Sequence, residues 1–238
     1  MRSFTSLRDF IDMLEKRGRL VRVSTPVSAE LEITEIQTRL LAEQGPAVLF
    51  EHVEGYDMPL LANLFGTVER VAWGMGCLPA ELRDRGRELA QLRQLEVPNN
   101  WRERLDMLPT LLRTALTMKP ATTRKAPCQE IVLRGDDIDL GRLPIQTCWP
   151  NEPAPLITWP LVVTQGPGKD KEDSFNLGIY RMQLTGRDTT LMRWLKHRGG
   201  AQHYRRWAGQ KREPLPAAAV LGADPGTILA AVTPVPDT

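Results

Sequence analysis

The chain has 238 residues, of which 42% are hydrophobic and 25% are charged, a balance typical of a folded globular protein. The length is enough for one large domain or two smaller ones. The formal net charge at pH 7 is only +2, so no overall field draws the protein to nucleic acid. No apolar run approaches the roughly 18 residues that a membrane-spanning helix requires.

The three cysteines are widely spaced and form no pair of the CxxC type. Because Cys77, Cys128 and Cys148 are odd in number, we expect neither a disulfide framework nor a zinc site, and a reducing compartment fits best. The N-terminal sequence MRSFTSLRDF lacks the apolar core of a secretory signal. We therefore expect a cytoplasmic protein, with contact at the inner face of the cell membrane left open.

The first 120 residues predict alternating helices and strands. Apolar residues at helical spacing in residues 6–16 indicate a helix that stops before Gly18, and Leu20–Val23 follows as a strand. The later predictions are a helix from Ser28, two strands at 47–53 and 58–65, and helices at 67–75, 79–95 and 101–118.

After residue 120 the pattern changes to short strands with turn residues between them. We place a domain boundary there and predict an α+β fold, with an α/β domain at 1–120 and a mostly β domain at 121–238. The predicted strands are 130–133, 143–147, 157–164, 176–184, 190–195 and 217–221, with a helix at 201–208 and either type at 227–232.

Positive charge is concentrated in one stretch, residues 181–212. It contains nine Lys and Arg residues against Asp188 alone, which suggests an anionic partner. An exposed, solvated face is one alternative and an RNA-binding patch is another. The second lacks the interleaved aromatic residues of single-strand binders, so we do not expect nucleic-acid binding.

The segments FNLGIYRMQ and MRWLKHRGG hold the residue types that suit a metal and phosphate site. Asn176 offers an amide oxygen for a hard cation, and His197 is a candidate metal ligand. Arg181 and Arg193 are suited to holding a phosphate or carboxylate. Gly199-Gly200 lets backbone N–H groups approach a phosphate. Each feature alone is more typical of a turn or a solvated surface.

The spacing of Asn176 and Arg181 sets a geometric condition. Residues five apart in a regular strand point to opposite faces of the sheet. For both to serve one site, Asn176 must precede the strand or Gly178 must lie in a β-bulge. An unbroken ladder across 176–181 would argue against a shared site.

The strings NLGIYRMQ, MRWLKHRGG and LGADPGTILAAVTPVPDT, with the N-terminal FTSLRDFIDMLEKRGRLVRV, resemble the UbiD family of decarboxylases. The likeness spans essentially the whole chain, with the motifs in order. It implies an N-terminal α/β domain followed by part of a split β-barrel that binds flavin. The family's C-terminal oligomerisation domain would be absent from this chain.

The closest resemblance is to the bacterial branch that acts in ubiquinone biosynthesis. It implies non-oxidative decarboxylation of 4-hydroxy-3-polyprenylbenzoate to 2-polyprenylphenol, using prenylated FMN and Mn²⁺ with a monovalent cation such as K⁺. A flavin prenyltransferase would supply the cofactor, and the full-length form would be a homo-oligomer. The alternatives are a decarboxylase of another aromatic or acrylic acid, or a non-catalytic flavin-binding remnant.

The resemblance also implies roles for individual residues. Asn176 and His197 would bind the metal, and Arg181 would be catalytic, beside the substrate carboxylate. In the family, a third metal ligand (a glutamate) and the acid that protonates the product follow later in sequence, so we expect this chain alone to be inactive and poorly soluble. The implied cofactor-binding residues are Ile179, Tyr180, Arg181, Arg193, Trp194, Leu195, Arg198 and Gly199.

Overall fold

The computed structural model describes residues 4–93, 123–124, 126–168 and 175–233. Its helices and strands form an N-terminal unit at residues 4–93 and a C-terminal unit at residues 126–233. Both units combine helices with short open sheets, which confirms the predicted α+β class. The predicted helix at 101–118 and the boundary near residue 120 lie outside the described residues.

The N-terminal unit begins with a well-capped helix and continues as alternating strands and helices. The Ser6 hydroxyl accepts a hydrogen bond from the backbone N–H of Asp9, which satisfies the first turn. Gly18, with φ of 64°, turns the chain into the first strand, as expected. The elements are α1 (Leu7–Lys16), β1 (Leu20–Val23), α2 (Glu32–Ala42), β2 (Ala47–Phe50), β3 (Leu60–Ala62), α3 (Val68–Gly74) and α4 (Leu82–Arg93).

A three-stranded sheet in the order β1-β2-β3 divides the core of this unit into two clusters. β1 runs parallel to β2, and β2 runs antiparallel to β3. Alternate residues of β2 face opposite sides, so Phe50 packs with Ile33 of α2, whereas Ala47 packs with Phe10 of α1 and Trp73 of α3. The helices therefore cover both faces of the sheet.

The C-terminal unit consists mainly of two antiparallel three-stranded sheets, ordered β4-β7-β8 and β6-β5-β9. The chain passes from one sheet to the other between β6 and β7. The elements are β4 (Leu156–Ile157), β5 (Leu161–Gln165), β6 (Phe175–Ile179), β7 (Met182–Leu184), β8 (Thr190–Met192), α5 (Gly199–Gln210), β9 (Ala217–Val220) and α6 (Pro225–Ala230).

In the described part of the chain, the two units contact each other at several places, of which three are described below. Phe65 and Trp159 meet edge to face with ring centroids 5.4 Å apart. α6 packs on α3, where a methyl group added at Gly74 would lie 3.0 Å from Leu229. Thr147 forms a parallel β-bridge with Glu30, just before α2. These contacts anchor the second unit on the first.

Several predicted strands in the C-terminal unit were wrong or too long. Residues 130–133 form no strand, and Ile131 is 81% exposed, so this apolar run has no sheet to join. Residues 143–147 provide only isolated bridges at Gln146 and Thr147. The strand predicted at 157–164 is interrupted before β5, because Pro160 has no N–H to donate to a ladder. Residues 227–232 lie largely in helix α6, with Asp224 as its cap.

The strands predicted at 176–184 and 190–195 also differ from the structure. The first is two strands, β6 and β7, which belong to different sheets. The second ends at Met192, where the chain turns away toward α5. In the N-terminal unit, α2 begins at Glu32 rather than Ser28, because Leu31 has a left-handed backbone with φ of 64°.

No helix in the described part of the chain is long and apolar enough to cross a membrane. The cysteines are free thiols, with Cys77 and Cys148 buried and Cys128 exposed.

Candidate functional site

Asn176 lies inside β6, on the face of the sheet that α5 covers. The ladder pairs Asn176 with Thr164 and Gly178 with Val162, without a break from Phe175 to Ile179. Neither of the two conditions set for a shared site is met, since Asn176 lies within the strand and Gly178 is paired in the ladder, but the ladder does not continue to Arg181. The chain instead leaves the sheet after Ile179, and this exit changes the direction of the residues that follow.

Tyr180 is the first residue after β6, and its side chain folds back over the strand. A methyl group at Gly178 would come within 2.9 Å of the Tyr180 ring, so this close packing requires glycine. The Tyr180 hydroxyl accepts hydrogen bonds from the backbone N–H of Gly200 at 3.1 Å and from Asn176 Nδ2 at 3.4 Å. The buried tyrosine thus joins β6 to the first turn of α5.

Gly199 brings the start of α5 directly against Asn176. An added methyl group at Gly199 would lie 2.1 Å from Asn176 Oδ1, far inside contact distance. Arg198 is the N-cap residue, and its side chain makes no capping hydrogen bond. The helix dipole and the backbone N–H groups of this turn therefore favour an anion here.

Trp194 closes the other side of this helix start. Its ring meets the Tyr180 ring edge to face at 5.8 Å and the Tyr204 ring at 6.3 Å, and it packs against Gly200. The Trp194 Nε1 atom is buried and has no hydrogen-bond partner among the described residues. An unpaired buried donor costs about 1–3 kcal/mol, and a ligand oxygen would satisfy it.

We call Asn176, Tyr180, Trp194 and Gly199 the helix-start cluster. It combines an amide oxygen, a buried hydroxyl, an unpaired indole N–H and a helix start whose N-cap side chain makes no capping bond. These groups fit a phosphate-bearing ligand with an associated cation. The cluster gathers four of the residues predicted for the site.

His197 and its neighbours lie at the exposed margin of the cluster. His197 is two residues before Gly199, and its backbone carbonyl accepts a hydrogen bond from Gln202 Nε2. Among the described residues, no three His, Cys, Asp or Glu side chains converge as a metal centre. Asn176 and His197 would therefore supply two ligands at one helix end, short of a full coordination set. The other exposed members of this margin are Arg193, Leu195 and Arg198.

Arg181 and Ile179 are separated from the cluster by the geometry of the chain. Ile179 pairs with Leu161 in the ladder and faces away from Gly178. Arg181 is exposed, and its guanidinium carbon lies 5.8 Å from the centroid of the Trp149 ring. The site therefore has a buried part at α5 and an exposed part at Arg181.

His203 is a residue of this region that sequence reasoning missed. It is buried on α5, and its Nδ1 shares a 3.0 Å hydrogen bond with the Thr164 hydroxyl of β5. Burial lowers the pKa of His203, Arg206 lowers it further, and a hydrogen bond with the Thr164 backbone opposes them. The sequence did offer a signal for His203, because a residue three positions after Gly200 lies on the same face of a helix.

Two family models match the chain. The 3-octaprenyl-4-hydroxybenzoate carboxy-lyase N-terminal domain matches residues 11–91, and the Rift-related domain of the same carboxy-lyase, UbiD, matches residues 119–238. The second match alone covers half of the chain.

Solved structures of two decarboxylases and of one UbiD-class enzyme are similar over nearly all of the chain. The vanillic acid decarboxylase of Sedimentibacter hydroxybenzoicus, in its closed form, matches 97% of this chain at 26% identity and a TM-score of 0.78. The fold also matches an evolved dimeric form of the UbiD-class enzyme HmfF from Pelotomaculum thermopropionicum in complex with prFMN, over 98% of this chain at 24% identity and a TM-score of 0.72. A third match is the apo 3,4-dihydroxybenzoic acid decarboxylase of Klebsiella pneumoniae, over 99% of this chain at 22% identity and a TM-score of 0.74.

The chain spans about half the length of these proteins, covering 45%, 52% and 46% of them respectively. The matched segments include both units and the helix-start cluster between β6 and α5. The two family models and the shared fold agree with the motifs of the sequence. The chain therefore belongs to the UbiD family.

Proposed function

We propose that this chain forms the cofactor-binding part of a prenylated-FMN-dependent decarboxylase that acts on 4-hydroxy-3-polyprenylbenzoate in ubiquinone biosynthesis. The observation that carries the proposal is the helix-start cluster, where the unpaired Trp194 Nε1 and the start of α5, at which Arg198 makes no side-chain capping bond, favour a phosphate. The HmfF structures with prFMN and with FMN support a flavin, and the two decarboxylases of hydroxylated aromatic acids support the substrate class.

In this proposal the residues of the chain bind and orient. Asn176 and His197 would hold Mn²⁺, with K⁺ nearby, against the cofactor phosphate, and Arg193 and Arg198 would add positive charge at the same margin. Arg181 would pair with the substrate carboxylate. The bound prenylated flavin supplies the electron sink that protein side chains lack. The remaining cofactor contacts proposed are Ile179, Tyr180, Leu195 and Gly199.

The rest of the active site would come from elsewhere in the assembled enzyme. Decarboxylation also needs an acid that returns a proton to carbon, and the metal needs a further carboxylate ligand. We propose that the isolated chain is inactive and that the complete enzyme is a homo-oligomer, with domains divided near residue 120. A flavin prenyltransferase would supply its cofactor, and its place would be the cytoplasm, with membrane contact for the polyprenyl tail.

FMN binding to the purified chain tests the role of the cluster. Trp194→Phe keeps the ring and removes only the Nε1 donor, so we expect FMN affinity to fall roughly 2- to 10-fold, as for one hydrogen bond. Trp159→Phe, at an exposed tryptophan outside the cluster, is the matched control. Fluorescence titration measures both, and equal affinity of Trp194→Phe and the wild type would contradict the proposal.

The substrate is tested by CO₂ release from a panel of aromatic and acrylic acids, with a full-length chain that includes these residues. Highest turnover with the polyprenylated acid is expected. Preference for a small phenolic acid would indicate that the enzyme belongs to a branch of the family with another substrate. Bound flavin without turnover of any acid would favour the non-catalytic alternative. Turnover by the 238-residue chain alone would contradict the expected inactivity.

A further inference from the structure

Trp149 lies beside Arg181 in the exposed part of the site. Its side chain is 50% exposed, and its ring centroid is 5.8 Å from the guanidinium carbon of Arg181. A guanidinium within about 6 Å of an indole centroid is attracted to the ring electrostatically. The two residues are separated by 32 positions, so the fold and not local sequence creates this contact.

The loop that carries Trp149 is held at both ends. The Glu152 carboxylate accepts hydrogen bonds from the backbone N–H of Cys148 at 2.7 Å and of Trp149 at 3.3 Å. Asn151, with φ of 66°, allows the tight turn between them. The indole therefore sits on a loop whose backbone is fixed by a charged side chain.

The same loop is also fastened to the N-terminal unit. The Thr147 N–H donates to the carbonyl of Ala29 at 3.1 Å, and the Leu31 N–H donates to the carbonyl of Thr147 at 2.9 Å. The neighbouring Gln146 forms an antiparallel bridge with Leu156. The backbone position of Trp149 is thus fixed, whereas Arg181 has a long side chain at the junction between the two sheets.

Arg181 differs from the paired arginines of the N-terminal unit. Arg19, Arg22 and Arg39 each form a salt bridge with a glutamate. Within the described ranges, Arg181 forms no salt bridge with a carboxylate. Its guanidinium lies over the ring of Trp149. Its N–H groups therefore remain available to a carboxylate, while the indole limits its rotamers.

We propose that Trp149 is a positioning residue for Arg181, which holds the guanidinium ready for the carboxylate of an aromatic acid. The proposal rests on the proposed function for the identity of that acid. Because the contact itself is a property of this chain, it can be measured without cofactor or turnover. Two independent signals then separate the positioning role from the enzyme's function.

The first signal is the Arg181 side-chain Nε–Hε resonance in the purified 238-residue chain, assigned by its loss in Arg181→Lys. Stacking on the indole predicts a ring-current shift that disappears in Trp149→Leu and is partly kept in Trp149→Phe. Trp159→Leu replaces another exposed tryptophan, which packs on Phe65, and should leave the resonance in place. A resonance unchanged in Trp149→Leu would overturn the inference.

The second signal is the affinity for benzoate, measured by NMR titration of the same samples. Loss of a cation–π contact at an exposed site predicts about 2- to 5-fold weaker binding in Trp149→Leu, with Trp149→Phe closer to the wild type. Equal benzoate affinity in the wild type and Trp149→Leu would overturn the role in carboxylate binding. If the wild type binds no benzoate while the Arg181 shift depends on Trp149, the positioning contact stands and the carboxylate-binding role of Arg181 in this chain fails.

Discussion

At Gly199 the site depends on the residue having no side chain. A methyl group there would lie 2.1 Å from Asn176 Oδ1, so Gly199→Ala must displace the asparagine or the start of α5. We expect a loss of about 1–3 kcal/mol in the free energy of unfolding, as for overpacking in a core. Urea denaturation followed by circular dichroism measures it.

The matched control is Gly209→Ala near the other end of α5, where an added methyl group meets nothing within 4 Å. Because alanine favours a helix over glycine, this variant should gain up to about 1 kcal/mol. If both variants change stability in the same direction, the close approach of Gly199 and Asn176 does not occur in solution.

A second prediction at the residue scale concerns Tyr180. Tyr180→Phe removes the oxygen that accepts from the buried Gly200 N–H and from Asn176, which leaves donors without a partner. We expect a loss of about 1–3 kcal/mol in the free energy of unfolding. Tyr204→Phe, at a 55% exposed tyrosine, should stay within about 0.5 kcal/mol of the wild type. A loss in Tyr204→Phe as large as in Tyr180→Phe would contradict the specific role of the Tyr180 hydroxyl.

At the scale of elements, α5 is attached to β5 by the hydrogen bond between His203 and Thr164. Because burial lowers the pKa of His203 in the folded chain, the unfolded chain takes up the proton at a higher pH. Stability should be complete above the ordinary histidine pKa of about 6.5 and should fall as the pH drops through the lower folded value. Urea denaturation at about pH 7.5 and about pH 5.5 tests this direction, and the midpoint should be lower at the acidic pH.

His203→Gln should flatten that pH dependence. An equal drop in stability on acidification for His203→Gln and the wild type would assign the effect to other groups.

Sequence patterns were sufficient for elements formed by local rules. The helical spacing of Phe10 and Leu14, with Gly18 after them, correctly predicted α1 and β1. The division of 176–184 into two strands was not predictable, because its apolar pattern is continuous and sheet membership depends on distant partners such as Val162 and Leu156. Local periodicity contains no information about those partners.

The candidate site shows the same limit. Asn176, Arg181 and His197 were chosen from residue types and from the family resemblance. The pairing of Asn176 with Gly199 joins positions 23 apart, and that of Arg181 with Trp149 joins positions 32 apart. Neither contact follows from spacing, since both are set by how the sheets and α5 pack.

At the scale of the whole molecule, one face of the β6-β5-β9 sheet is unusually apolar for an exposed surface. Phe175 and Leu177 of β6 and Val220 of β9 are 51%, 37% and 41% exposed. The register places them on the same face, opposite α5. Such a patch favours self-association of the isolated chain, in line with its expected poor solubility.

Leu177→Lys should therefore reduce self-association, measured by light scattering over a range of protein concentrations. Leu191→Lys is the control, because Leu191 is 63% exposed but lies in the other sheet. An equal improvement from both substitutions would indicate a general effect of added charge and not of this face.

The passage between the two sheets through Tyr180 and Arg181 has one more consequence. Ile179 ends one ladder and Met182 begins the other, so two residues form the whole connection. Their Cα atoms are about 3.8 Å apart across one peptide bond. Inserting a single residue here would leave both sheets intact, yet it would turn either the phenol away from α5 or the guanidinium away from Trp149. The length of this two-residue connection therefore constrains the site as well as its composition does.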